Sequence, residues 1–376
     1  MGKWEIVRLG DVCEILDYMR IPVTASERKS GIYPYYGANG IQDYVDDYIF
    51  DGELVLLAED GGNFGSKEKP IAYRVSGKCW VNNHAHVLRP KENLDVDYLC
   101  DSIMFYDVMP FISGTTRAKL NQAAVLKMTI PLPPLEVQRK IADVLDRARA
   151  LIEKRKTQIE KLDLLVKSQF IEMFGDPVTN PKGWEVKKIK DFAAVKIGPF
   201  GSLLHAEDYI ENGVPLVNPS HIIDGRIVVD SKLTLSHEKY ESMSTYALKA
   251  GDIVLGRRGE IGRCAVVDNS EYFCGTGSMF IRIERDYLPM VLQRIISSDG
   301  MRQVLEEKAV GITMLNLNAG TVANLEAICP PLTLQNEFAS FIERVEAKKD
   351  LLQRSLAKLE LNFKSLMQKC FQGELF

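Results

Sequence analysis

The sequence lacks long apolar runs, closely spaced cysteines and any excess of positive charge. No apolar run of 18 residues occurs in the 376-residue chain, and its start lacks the apolar core of a secretion signal, so we expect a soluble cytoplasmic protein without a membrane segment. The seven cysteines are scattered and never spaced as C-x-x-C, which indicates reduced thiols. With a net charge of -4, a nucleic-acid binder must concentrate its Lys and Arg on one face.

Motifs of nucleotide-using and DNA-modifying enzymes are also lacking. The nearest match to the Asn/Asp-Pro-Pro-aromatic loop of adenine methyltransferases is NPSH at 218–221, which has neither the second proline nor the aromatic residue, so a turn is predicted. The glycines within 60–65 and 256–262 are not followed by the Lys-Ser/Thr of a P-loop, and they also predict turns. No set of nucleophile, base and orienting group is visible, so we expect a chain that is not catalytic by itself.

Two histidines suggest a metal site only weakly. His84 and His86 are two residues apart near Cys79, and an extended strand would place both imidazoles on one face. A fourth ligand at a characteristic spacing is missing, so we expect these side chains to pack structurally and the chain to bind no metal.

A long segment that occurs twice organises the chain. PPLEVQRKIADVL begins the first copy, 133–175, and PPLTLQNEFASFI begins the second copy, 330–373. In both copies apolar residues recur at alternating steps of four and three for about five heptads, uninterrupted by Gly or Pro, which is typical of a coiled coil. We predict two helices of about 38 residues, each roughly 57 Å long, that pair with each other. The alternative is two separate helices, each packed on its own domain.

Polar residues interrupt both apolar seams. They are Arg155 and Gln169 in the first copy and Lys349 in the second. Such residues either set the register and the choice of partner helix or lie in solvent at the edge of the seam.

The repeat extends beyond the helices. Four further segments recur in the same order: GKWEIVRLGDV (2–12) as KGWEVKKIKDF (182–192), GELVL (52–56) as GDIVL (251–255), VNNHAHVLR (81–89) as CGTGSMFIR (274–282), and GTTRAKLN (114–121) as GITMLNLN (311–318). Each half therefore consists of an entry strand, a region of short strands and turns, and a long helix. Shorter helices are predicted at 96–109 and 288–308.

The last of these motifs keeps Gly, Thr, Leu and Asn while the residues between them differ. Arg117 and Lys119 of the first half become Met314 and Asn316 in the second. Two domains that recognise different targets would require such a motif, with constant residues that fix the backbone and variable residues between them. Drift in a loop without function would look the same, so both interpretations stay open.

These repeated helix starts, together with GTTRAKLN, YPYYGANG, VNNHAHVLRP and GPFGS, resemble the specificity subunit of type I restriction-modification enzymes. The resemblance covers essentially the whole chain. It implies an α+β fold with two pseudo-two-fold-related mixed α/β target recognition domains separated by a long antiparallel two-helix coiled coil. The implied boundaries are 1–132 and 177–329 for the recognition domains and 133–176 and 330–376 for the spacer helices.

The resemblance also implies a function. The chain would bind a bipartite, asymmetric double-stranded DNA target and direct adenine methylation and restriction by partner subunits. The expected partners are two methylation subunits, which bring S-adenosylmethionine, and motor-nuclease restriction subunits, which bring ATP and Mg²⁺; this chain itself should hold no cofactor. The alternative is a non-enzymatic coiled-coil scaffold with two β-rich protein-binding domains, whose partner binding would be insensitive to salt and which would have no DNA affinity.

Side chains at loop tips are the expected DNA contacts, because Arg and Lys recognise guanine and Asn and Gln recognise adenine in the major groove. The candidates in the first half are Tyr36, Asn39, Asn63, Asn82, Asn83, Thr116, Arg117 and Lys119. Those in the second half are Phe200, Ser202, Asn218, Arg257, Arg258, Thr276, Thr313 and Asn316. Phosphate contacts should outnumber base contacts. For the Asn residues, formation of left-handed turns is the alternative role.

Overall fold

The chain forms two compact units, which share the two long helices. The first unit is Met1–Thr157 with Gln353–Phe376, and the second is Gln158–Leu352. The computed structural model describes residues 4–113, 118–259, 261–268, 271–309 and 316–376. Within these residues, no helix is both long enough and apolar enough to cross a membrane.

The first unit contains nine strands and begins the first long helix. Its strands are β1 Glu5–Arg8, β2 Cys13–Ile15, β3 Ser30–Gly37, β4 Gly40–Val45, β5 Glu53–Ala58, β6 Ala72–Ser76, β7 Trp80–Val81, β8 Ala85–Pro90 and β9 Thr129–Leu132, counted over the described residues. Its helices are α1 Leu9–Val12, α2 Val96–Ile103, α3 Gln122–Val125 and α4 Leu135–Phe174, the last of which continues into the second unit. The strands form sheets of order β2-β8-β5-β6 and β4-β3-β7, and β1 pairs with β9.

Strand β5 lies at the centre of the first unit because its sequence, ELVLLA, is apolar on both faces. Val55 and Leu57 face the cluster that contains α2 and the start of α4. Leu54 and Leu56 face the opposite cluster, which lies towards β3 and β7. All four side chains are fully buried. The sequence of a strand that is covered on both faces is a continuous apolar run and does not alternate between apolar and polar residues.

The second unit repeats this plan with additional short strands. Its strands are β10 Val186–Lys188, β11 Ala193–Ile197, β12 Tyr209–Ile210, β13 Val214–Val217, β14 Ile222–Ile223, β15 Arg226–Ile227, β16 Thr234–Leu235, β17 Ala247–Leu248, β18 Ile253–Gly256, β19 Cys264–Val266, β20 Tyr272–Cys274, β21 Ser278–Ile283 and β22 Glu326–Ile328. Its helices are α5 His237–Ser242, α6 Pro289–Ile296, α7 Asp299–Lys308, α8 Ala319–Ala323 and α9 Leu332–Gln372, the last of which continues into the first unit. The order β11-β21-β18-β19 matches β2-β8-β5-β6, and the pair β10-β22 matches β1-β9.

Strand register corrects one detail of the predicted repeat. Val55 pairs with Leu88, and Ile253 pairs with Ile281. Because Leu88 and Ile281 occupy the same place in VNNHAHVLR and CGTGSMFIR, Val55 corresponds to Ile253. The match of GELVL with GDIVL had aligned Val55 with Val254, one residue too far. The sequences of two short apolar strands can be aligned equally well in either of two registers. The hydrogen-bonded pairing with the neighbouring strand decides which alignment is correct.

The two shorter predicted helices differ from the structure at their ends. The first ends at Ile103, and a 3-10 turn containing Pro110 follows at Met109–Phe111, since proline does not fit a helix interior. The second is interrupted between α6 and α7. There Ser298 takes an extended conformation, and its side chain accepts a hydrogen bond from the Met301 N–H, which starts a new helix.

The long helices are confirmed, with 40 residues in α4 and 41 in α9. In the second unit, Phe338 packs against Phe170 and Phe174 with ring centroids 5.5 and 5.3 Å apart. Further along, the Lys349 ammonium lies 2.5 Å from a carboxylate oxygen of Asp163. Residue numbers rise along α4 as they fall along α9, so the two helices pack antiparallel in this unit.

Lys349 therefore lies in the seam and not at its solvent edge. Its side chain is only 10% exposed, and it reaches the more exposed carboxylate of Asp163 on the other helix. Arg155 and Gln169 are half-buried. A single buried Lys at such a position favours one register of the helix pair, because any other register leaves the charge without its partner.

Both helices complete the core of each unit. In the first, Ile141 and Leu145 of α4 join Cys370 of α9 in the cluster that covers the β2-β8-β5-β6 sheet. In the second, Phe170 and Phe338 belong to the corresponding cluster. All five side chains are at most 4% exposed.

A buried ion pair fixes α4 to α2 in the first unit. Arg149 donates to both carboxylate oxygens of Asp101, at 2.5 and 3.2 Å, and also to Asp146. Burial raises the pKa of Asp101 to about 6, and the guanidinium of Arg149 opposes this rise. A carboxylate so deeply buried depends on its partner for compensation.

The second unit has the opposite signs at the corresponding positions. Arg294 of α6 corresponds to Asp101 of α2, and Glu346 of α9 corresponds to Arg149 of α4. Burial lowers the pKa of Arg294, and the charge of Glu346 opposes that change. These two positions therefore carry opposite charges in both units with the signs exchanged, although in the second unit Glu346 pairs directly with Arg226.

We expect Arg149→Met to cost about 3–5 kcal/mol of unfolding free energy, because it leaves Asp101 buried and unpaired. Replacing both partners, as Asp101→Leu with Arg149→Met, should recover most of that loss. The matched control is Arg147→Met on the same helix, where the pair with Asp143 is exposed and the expected change is below about 1 kcal/mol. Urea unfolding measures these differences, and similar losses for Arg149→Met and Arg147→Met would contradict the assigned role.

Candidate nucleic-acid interface

Two polar loops meet in the first unit. The Asn39 amide donates to the carbonyl of Gly61 at 3.0 Å. The Asn63 amide donates to the side-chain oxygen of Asn39 at 3.2 Å and to the carbonyl of Pro70. The turn between β3 and β4 is thus tied to the loop between β5 and β6. Asn39 is exposed and Asn63 half-buried.

Asn82 and Tyr36 lie beneath these loops. Asn82 is 3% exposed; its amide donates to Gln42, and its side-chain oxygen accepts from the His84 N–H. Tyr36 is half-buried against Tyr73, and burial raises the pKa of its hydroxyl. The Asn82 side chain and the Tyr36 carbonyl, which accepts from the Asn82 N–H, therefore hold the turn at 82–84, whereas the neighbouring Asn83 is exposed.

Lys119 joins the segment 118–120 to the end of β5. Its ammonium lies 2.8 Å from a carboxylate oxygen of Glu59 and is half-exposed. That hydrogen bond raises the pKa of Lys119. Although burial opposes it, hydrogen bonding to Lys119 and Arg20 lowers the pKa of Glu59. The Lys119 backbone also bridges to Asp60 and Ser113.

Arg257 and Asn316 form the corresponding pair in the second unit. Arg257 Nε donates to the Asn316 side-chain oxygen at 3.2 Å. Burial, and to a smaller degree the charge of Arg258, lowers the pKa of the Arg257 guanidinium. Arg258 is exposed and bridges to Asn316 through the backbone.

Asn218, Thr276 and Phe200 lie on neighbouring loops of the second unit. Asn218 begins the 3-10 turn Pro219–His221, which confirms a turn at NPSH. A Cβ on Gly275 would come within 2.1 Å of the Asn218 side-chain oxygen, so the close approach of the two loops requires glycine there. Thr276 is half-buried and Phe200 is 64% exposed.

The two units place different side chains on one backbone arrangement. The carbonyl of Glu59 accepts from the Leu120 N–H, and the carbonyl of Arg257 accepts from the Leu317 N–H. Glu59 also donates its N–H to His84, as Arg257 does to Gly277, at equivalent positions of the repeat. Glu59 and Arg257 therefore correspond, as do Lys119 and Asn316. An acid–base pair in one unit becomes a guanidinium–amide pair in the other.

Thr116, Arg117 and Thr313 lie outside the described residues, and so does the side chain of Ser202. The backbone of Ser202 forms part of the 3-10 turn Gly201–Leu203.

The glycine-rich segments form turns, as predicted. Gly61 and Gly259 adopt positive φ angles of 64° and 76°, which glycine tolerates best. The histidines pack with carboxylates: His84 Nδ1 lies 2.6 Å from Asp60, and His86 Nδ1 lies 2.5 Å from Asp17. Cys79 belongs to the apolar cluster around Leu54.

Sequence reasoning missed the acidic and basic groups under this surface. Ligand atoms of Asp17, Glu59 and His86 lie within 4.8 Å of one another, a spacing that a metal ion would accept. Arg20 already pairs with both carboxylates, at 3.4 and 2.7 Å. Asp17 and His86 are 69 positions apart, so no spacing in the sequence indicates that they meet. The only signal is an acidic pair, Glu59-Asp60, directly after an apolar strand.

Solved structures of known function share the fold. One, reported for complex assembly and conformational transition of the type I restriction-modification system, matches with a TM-score of 0.59 at 18% identity and covers 100% of this chain and 98% of that chain. The S subunit of a type I restriction-modification system from M. genitalium matches with a TM-score of 0.58 at 12% identity, covering 98% and 96%. The predicted α+β fold class, with two repeated halves and a long antiparallel helix pair, is confirmed.

Sequence comparisons agree with the fold. A putative type I restriction enzyme specificity subunit of Haemophilus influenzae is 30% identical over 90% of this chain and 86% of its own length. A type I restriction enzyme specificity subunit of Methanocaldococcus jannaschii is 22% identical over 99% and 93%. The family model for the type I restriction modification DNA specificity domain matches twice, at residues 1–162 and 181–361. The chain therefore belongs to the family of type I restriction-modification specificity subunits, which do not carry out catalysis themselves.

Proposed function

We propose that this chain recognises a bipartite, asymmetric DNA sequence and directs adenine methylation and restriction by partner subunits. The observation that carries the proposal is the exchange of Glu59 and Lys119 for Arg257 and Asn316 on one backbone arrangement. The same backbone arrangement with different polar side chains in the two units is suited to recognising two different half-sites. We expect the DNA target to have a spacer of unspecified bases between its two specified half-sites.

The exposed candidates supply the chemistry of groove recognition. Asn39 and Asn83 offer amides, which pair with adenine, and Arg258 offers a guanidinium, which pairs with guanine through two hydrogen bonds. Lys119 offers an ammonium group, which can donate to a guanine or to a phosphate. Tyr36 and Asn82 are assigned to supporting these contacts, because their side chains are partly or fully buried beneath the loops.

The reactions are assigned to partner subunits. Two methylation subunits would bring S-adenosylmethionine, and motor-nuclease subunits would bring ATP and Mg²⁺. This assignment follows from the family of the chain. The competing function, a protein-binding scaffold, would give partner binding that is independent of salt and no DNA affinity within the complex.

Sequencing of methylated adenines in cells that carry the intact operon tests this function. We expect a split motif with two specified halves, and we expect it to disappear when the coding sequence of this chain is deleted. Restoring the chain on a plasmid controls for effects on the neighbouring genes. Methylation that persists without the chain, or a continuous motif, would contradict the proposal.

Arg257→Ala and Arg258→Ala should impair recognition of the second half-site alone. Each lost bidentate base contact should cost about 1–3 kcal/mol there, while base discrimination in the first half-site stays unchanged. Arg285→Ala, an exposed Arg of the same unit, is the control for loss of charge. Titration of the complex with single-base variants of the target measures both. Equal losses on unrelated sequences, with a weaker salt dependence, would assign the two residues to phosphates instead.

A further inference from the structure

Both ring nitrogens of His86 lie within hydrogen-bond distance of oxygen atoms inside the first unit. The residue is 0% exposed. Its Nδ1 lies 2.5 Å from a carboxylate oxygen of Asp17, and its Nε2 lies 2.7 Å from the carbonyl oxygen of Leu120. A carbonyl oxygen only accepts, and Asp17 already accepts at its other oxygen from the Val87 N–H at 3.0 Å. The ring therefore bridges two acceptors.

Arg20 and Glu59 extend this arrangement towards the surface. Arg20 donates to Glu59 at 2.7 Å and to the carbonyl of Ala85 at 2.8 Å. The other carboxylate oxygen of Glu59 faces the Lys119 ammonium. We call Asp17, Arg20, Glu59 and His86 the buried network. Its two carboxylates face Arg20, Lys119 and the imidazole of His86.

Members of the buried network hydrogen-bond to the backbone of the segment 118–120 through both the N–H and the carbonyl of Leu120. The Leu120 N–H donates to the Glu59 carbonyl at 2.8 Å, and the Leu120 carbonyl accepts from His86. Lys119 is held in addition through its side chain. Residues 118–120 directly follow the candidates Thr116 and Arg117 in the chain. The segment 118–120, which carries the candidate Lys119, is thus hydrogen-bonded to the core, and we call these contacts the polar anchor.

Among its described residues, the second unit has no equivalent of this anchor. Met279 takes the place of His86 and is fully buried, and Arg257 takes the place of Glu59. A thioether cannot donate a hydrogen bond. The Leu317 N–H still donates to Arg257, so the common backbone contact remains without the histidine.

We propose that His86, acting with Asp17 and Glu59, positions the segment 118–120 and thereby sets base discrimination at the first half-site, although none of the three contacts DNA. This inference rests on the proposed function. Its physical basis is that base contacts need side chains placed to within a fraction of an ångström, which packed and hydrogen-bonded supports provide. A fully satisfied buried network supplies that rigidity.

The test compares His86→Met with the wild-type chain, each assembled with its methylation subunits. The substitution installs the residue found at the equivalent position of the second unit and leaves the Leu120 carbonyl without its donor. We expect the ratio of Kd values between altered and correct bases to fall about tenfold at the first half-site and to stay unchanged at the second. His86→Gln keeps one donor and should give an intermediate ratio.

Val87→Ala is the control for lost stability, since Val87 is the neighbouring residue of β8 and is fully buried without side-chain polar contacts. It should weaken the fold without changing base discrimination. Should His86→Met fail to assemble, Glu59→Gln removes the charge that Arg20 and Lys119 share and tests the same positions.

Unchanged discrimination at the first half-site, or equal losses at both half-sites, would overturn the inference. Loss of discrimination in Val87→Ala as well would overturn it too, because the effect would then follow from stability alone. A wild-type complex that discriminates bases at neither half-site would instead refute the proposed function and is distinguishable from both results.

Discussion

The fold depends on the requirement that two long apolar seams be covered along their whole length. A helix of 40 residues with one apolar face is not stable in isolation, because its seam would lie in water. Each unit covers part of both seams with a β-sheet and with the other helix. Phe338, in contact with Phe170 and Phe174, shows how closely the helices share one core. Each sheet therefore packs on the start of the long helix that follows it in the chain and on the end of the other long helix.

This arrangement keeps the supporting contacts constant while the side chains of the loops vary. The buried Asp101–Arg149 pair ties α2 to α4 in the first unit, and Arg294 and Glu346 keep opposite charges, with the signs exchanged, at the corresponding positions of the second. The loops between strands carry side chains that differ between the units. The backbone hydrogen bonds that hold these loops are the same in both units. A protein built in this way can exchange the polar side chains of its loops while core residues of the same loops, such as Leu120 and Leu317, stay in place.

The sequence predicts the repeat, the long helices and the positions of the loops, because periodicity and turn residues are local signals. It does not predict the register of β5 relative to β18, which short apolar strands leave open to a shift of one residue. Nor does it predict that Ser298 divides a helix, or that Asn82 is buried under the loops that it helps to shape. The contacts of His86 with Asp17 and Leu120 depend on long-range folding, for which a single sequence has no signal.

Complementation between two fragments, 1–176 and 177–376, tests most directly whether each core needs both helices. Expressed alone, each fragment would leave its seam uncovered, and we expect neither to behave as a monomer that unfolds cooperatively. Expressed together, they should form a 1:1 complex whose thermal unfolding resembles that of the intact chain. A stable, monomeric 1–176 fragment with the unfolding temperature of the intact protein would contradict this account.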